Sequence, residues 1–153
     1  MYEPSISKQD LFARCVPHDL VTPFVERHGR FFEPQAFPKS YRRGKLSLCF
    51  ANSYRMAIRH KLTYVEGYAL GETGMCHLHA WCIDTEGRVL DPTWRTADAY
   101  FGIPFQTRYL LAVIKDRETR LGENAYFGLL DDCQAGFPLM KQLESQPDQW
   151  LAS

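Results

Sequence analysis

Residues 79–94 read HAWCIDTEGRVLDPTW, and the fold is decided by how this stretch is paired. His79, Trp81 and Ile83 alternate with Ala80, Cys82 and Asp84, which is the period of a strand presenting two faces. Asp84-Thr85-Glu86-Gly87 then has the composition of a type I turn followed by a bulge, with Gly87 in the left-handed position. Val89 and Asp91 return on one face until Pro92 stops the strand. If paired residue numbers sum to 170 or 172, Asp91 falls on the face of His79, opposite or diagonal to it. A slip of one residue separates them.

Upstream of this hairpin, CFANSYRMAIRHK at 49–61 has the spacing of a helix, with Ser47 as its expected N-cap. Phe50, Tyr54, Ala57 and Ile58 form the expected buried stripe. Cys49 then sits in the first turn, where unpaired backbone N–H groups and the helix dipole favour an anion. That matters because the thiolate, not the thiol, is the nucleophile. The same N–H groups are suited to an oxyanion on a substrate carbonyl.

The rest of the chain fills in around these elements. Thr63–Leu70 is rich in β-forming residues, and Arg108–Lys115 (RYLLAVIK) is apolar enough for a further, central strand. Residues 7–32 predict one or two short helices broken at Pro17 and Pro23, residues 33–48 an ordered loop, and residues 124–151 helices and loops. The expected architecture is α+β, one domain over residues 1–153, with a mainly antiparallel sheet.

Cys49, His79 and Asp91 each have a plain structural reading: a buried thiol, a packed histidine, a turn carboxylate before proline. Together they have the order and residue types of a nucleophile, its base and the group that orients the base. The segment CFANSYRMAIRHKLTYVEGYAL…HAWCIDTEGRVLDPTW resembles the core of the transglutaminase-like superfamily. The matching positions are Cys49, Gly67-Tyr68, His79-Ala80-Trp81 and Asp91-Pro92-Thr93, within residues 47–94; residues 1–46 have no counterpart. The resemblance implies a transglutaminase/papain-like core in which a helix carries the catalytic Cys49 at its N-terminus. It implies a thioester mechanism on an amide or ester carbonyl of a protein or peptide, without a cofactor. Peptidase, deamidase and transglutaminase activities all share that site. The alternative is a non-catalytic protein-binding module on the same fold.

Asn52, Glu66, Trp81 and Trp94 complete the candidate set as substrate-lining residues. Their plain readings are an exposed amide, a solvated strand position and two core aromatics. Arg43, Lys45 and Ser47 are donors near Cys49 or simply a solvated loop, and residues 99–105 are core or one wall of a cleft. In Cys76-His77-Leu78-His79-Ala80-Trp81-Cys82 a continuous strand aims the cysteines and histidines at opposite faces, so no metal site is expected. Lys+Arg and Asp+Glu balance at 18 each, which argues against a general nucleic-acid binder and leaves only a local basic patch at Arg42, Arg43 and Lys45. No secretory leader or membrane span is apparent, and five cysteines without regular spacing are expected as free thiols in a cytoplasmic protein.

Overall fold

The computed structural model describes residues 2–95, 97–130, 148 and 150–152. The alternating sequences on either side of residues 72–75 form the long antiparallel pair at the centre, β2 (Thr63–Gly71) and β3 (Cys76–Ile83), in a register that sets Gly67 opposite His79. With β1 (Arg30–Phe32), β4 (Val89–Leu90) and β5 (Ala97–Phe105) they make a five-stranded antiparallel sheet in the order β1-β5-β2-β3-β4. Among the described residues, four α-helices accompany it: α1 (Lys8–Ala13), α2 (Val21–His28), α3 (Cys49–His60) and α4 (Thr107–Leu121). The architecture is α+β with an antiparallel sheet, as the order of elements predicts.

Period-two alternation divides the sheet into two apolar layers. Tyr64, Tyr68, Ala80, Cys82, Leu90, Phe101, Ile103 and Phe105 meet the helices in the larger one, where Tyr54 of α3 stacks on Tyr64 at 4.5 Å. Val65, Ala69, Trp81, Ile83, Val89 and Tyr100 form the smaller layer with Phe32. Gly67 and Gly102 face each other across β2 and β5, and a Cβ on Gly102 would stand 2.8 Å from the Trp81 ring. The absent side chain is the space that Trp81 fills.

Several expectations are corrected. Arg108–Lys115 is not a strand but the first half of α4, with Leu110, Ile114 and Arg117 buried at helical spacing and Leu111 45% exposed. A short apolar run carries no period of its own, and here the helical one wins. The strand is instead β5, whose sequence ADAYFGIPF holds a glycine and a proline. Pro104 is tolerated because its carbonyl accepts from Ala152 N, away from β2, so the missing N–H on that side costs no bond to β2. Within α3, Ile58 is 43% exposed, and Met56 and Ser53 are buried instead. The N-cap of α3 is Leu48, without a side-chain cap, rather than Ser47.

Pro23 lies in the first turn of α2, where an N–H has no intrahelical acceptor, so it does not break the helix. Cys15 and Cys76 are not free thiols but a disulfide, formed where Val16 N donates to Cys76 O and the two cysteines bridge in parallel. Their 61-residue separation left no local sign of it. Cys49 and Cys82 are free. Of the stretch expected as helices and loops after residue 124, residues 131–147 lie outside the described residues. Among the described residues, no helix is long and apolar enough to cross a membrane.

Candidate active site

The hairpin joining β3 to β4 is built as its composition dictates. Gly87 takes φ +77°, its N–H reaches Asp84 O at 3.0 Å, and Asp84 N reaches Arg88 O at 3.0 Å. Asp84 Oδ1 also accepts from the N–H groups of Glu86 and Arg88, fixing the turn. Cys82 then pairs with Leu90 and Ile83 with Val89, so the register sums to 172. Extended by one step, it sets Asp91 diagonal to His79 on the same face. Their side chains meet at 2.8 Å, His79 Nε2 to Asp91 Oδ2.

Asp91 is held on every side. Oδ1 accepts from Thr93 N at 2.9 Å and Trp94 N at 3.0 Å, and Oδ2 accepts from Tyr100 Oη at 2.8 Å besides His79. Arg43 donates to the carbonyls of Asp91 and Trp94, and its guanidinium lies over the Phe37 ring. Burial favours the neutral carboxyl, but the His79 contact and the two backbone donors outweigh it and hold Asp91 below the usual carboxylate range.

With Nε2 engaged by Asp91, the other nitrogen of His79 is left for Cys49. Cys49, the first residue of α3, is besides Asp91 the other group whose interaction raises the His79 pKa. Among the described residues, the outer edge of β3 from His77 to Trp81, between the Cys15 bridge and β4, has no strand partner. His79 is 1% exposed, whereas Cys49 is partly exposed. Burial disfavours the imidazolium, yet the hydrogen bonds and charges of Asp91 and Cys49 prevail, and the His79 pKa is pushed up to about 9. Trp94 stacks on the ring with centroids 4.0 Å apart. An imidazole held by a buried carboxylate, influenced by a nearby sulfur and stacked under an indole, has the chemistry to exchange a proton with that sulfur.

The remaining candidates separate. Trp94 stays at the site, partly buried over His79. Trp81 does not line a cleft: it is buried between Phe32 and Tyr100 in the smaller layer. Asn52 is buried rather than exposed, and its amide donates to Lys45 O at 2.8 Å and Thr93 Oγ1 at 2.9 Å, tying the loop before Cys49 to the turn after Asp91. Glu66 is neither solvated nor at the site. It is fully buried on the helix-covered face, where it accepts from Tyr64 Oη and from the N–H groups of Leu129 and Leu130. Tyr100 and Thr93 were missed as partners of Asp91 and Asn52. The Asp91-Pro92-Thr93 turn signalled the second; the Tyr100 hydroxyl gave no local signal. No family model, curated protein or solved structure matches this chain.

Proposed function

We propose that this protein is a cysteine-dependent enzyme that cleaves or transfers an acyl group at an amide or ester carbonyl, on a transglutaminase/papain-like core. The observation that carries the proposal is the buried His79–Asp91 pair at 2.8 Å, with Cys49 at the start of α3 acting on the same imidazole. In the reactive form the proton resides on His79 and the sulfur is a thiolate. The sulfur attacks the carbonyl carbon, a C–S bond forms, and the oxyanion is received by the N–H groups at the start of α3. His79 passes its proton to the leaving amine or alcohol as the C–N or C–O bond breaks, leaving a thioester. Water or an amine then attacks the thioester, gives a proton to His79 and displaces the thiolate. Asp91 keeps the imidazole oriented throughout, and Trp94 shields their hydrogen bond from water. The expected substrate is a protein or peptide, with the partly exposed Cys49 at the start of α3 as the point of attack.

Intact-mass analysis after brief exposure to iodoacetamide at about pH 6 tests this, because an ordinary thiol is protonated there and reacts slowly. Wild type should take up a single adduct within the exposure. Cys49→Ala should take up none, and His79→Ala should react at least tenfold more slowly. Absence of preferential labelling at Cys49 would remove the activated nucleophile and leave the non-catalytic binding module as the better reading.

A further inference from the structure

A cavity of about 410 Å³ opens beside the site, between α3 and the loop that precedes it. Four arginines line it: Arg42 and Arg43 from the loop, and Arg55 and Arg59 one turn apart on α3. His60 adds a fifth basic side chain, and among the described residues no carboxylate contributes to the wall. Arg59 and His60 belong to the last turn of α3, where the helix dipole accounts for cations. It does not account for Arg55 in mid-helix or for the two loop arginines.

Among the described residues, none of the four arginines forms an ion pair with a carboxylate. Arg43 is committed to the Asp91 and Trp94 carbonyls, and Arg55 lies 5.9 Å from the Tyr126 ring. Arg42, Arg55 and Arg59 are exposed and keep their forked donors for a ligand. Like charges at i and i+4 weaken a helix, so the Arg55–Arg59 pair opposes folding unless an anion screens it. A chain whose charges balance overall has gathered one sign into one concavity, which focuses its field there.

We propose that this cavity binds a small molecule bearing a phosphate or pyrophosphate group, held by Arg42, Arg55 and Arg59. Guanidinium forks match phosphate oxygens in pairs, and three of them exceed what one carboxylate can engage. The volume exceeds that of a lone phosphate and lies in the range of small-molecule sites. A chain with no net charge, and a cluster limited to the four arginines of one concavity, offers little for an extended nucleic-acid backbone. Asn52 and Pro92 also line the cavity, so the ligand rests against the segments carrying Cys49 and Asp91. The proposal goes beyond acyl transfer and does not depend on it.

Calorimetric titration of the full chain with inorganic pyrophosphate at low ionic strength tests it. Saturable one-site binding is expected, weakened at least tenfold in Arg55→Gln/Arg59→Gln. It should be unchanged in Arg120→Gln, whose arginine pairs with Asp116 on α4, and in Cys49→Ala. Circular dichroism establishes that each variant is folded. No saturable binding up to about 10 mM, or equal affinity in the double variant and wild type, would overturn the proposal.

Discussion

Asp91 accepts four hydrogen bonds, two on each carboxylate oxygen, and only one of them comes from His79. The two backbone donors fix where the carboxylate lies, and Tyr100 of β5 holds its second oxygen. A buried carboxylate satisfied this fully stays ionised and sets the charge state of its neighbour. Replacing Asp91 with Asn removes that charge while leaving an oxygen for Thr93 and Trp94. The His79 pKa, pushed up to about 9 in the native site, should then fall toward or below the ordinary 6.5, because burial is left opposed by Cys49 alone. Titration of the imidazole carbon-bound protons by NMR reads this directly. A value still near 9 in Asp91→Asn would show that the carboxylate is not what charges the ring.

At the level of elements, what the sequence made legible is what it encodes locally. The β3–β4 hairpin carries its own period, its turn chemistry and its stop at Pro92, so a shared face for His79 and Asp91 could be read without any other part of the chain, while the choice between opposite and diagonal could not. β5 and α4 could not. Gly102 and Pro104 argue against a strand until β2 and the Trp81 ring are present, and RYLLAVIK has no period that distinguishes strand from helix. Tyr100 was hidden for the same reason, since its aim at Asp91 follows from β5 being a strand. Glu66 is the clearest case: a carboxylate in mid-strand reads as solvated, yet it anchors residues 127–130. Arg117 completes that anchor by donating to the carbonyls of Phe127 and Gly128. Burial raises the Glu66 pKa, while Tyr64, the two backbone donors and Arg117 pull it back. Glu66→Ala leaves the Tyr64 hydroxyl and the Leu129 and Leu130 N–H groups buried without their acceptor and removes the negative charge that acts on Arg117. A loss of about 3–5 kcal/mol in urea denaturation is expected, far above that of a surface carboxylate. A loss below about 1 kcal/mol would mean that the segment is seated by Leu129 and Leu130 packing alone.

Across the whole molecule, the His79–Asp91 pair links folding to pH in a direction that its two shifts determine. His79 is raised from 6.5 to about 9, so its contribution is fully present below 6.5 and is lost as pH rises through 9. Asp91 is lowered from 3.8, so its contribution is present above that value and is lost as pH falls through the native pKa. The pair therefore stabilises most between pH about 4 and 6.5, and the alkaline loss amounts to up to about 3 kcal/mol. Thermal unfolding followed by circular dichroism between pH 5 and 10 should show this as a difference between wild type and His79→Gln/Asp91→Asn, because other titrating groups are common to both. The advantage of wild type should shrink from about pH 6.5 upward and level off above 9; a constant or growing advantage would contradict the assignment. Part of the His79 shift comes from the Cys49 sulfur. In a Cys49→Ala background the decline should accordingly begin at the same pH but level off at lower pH and be smaller, which ties the stability of the fold to the interaction on which the proposed chemistry rests.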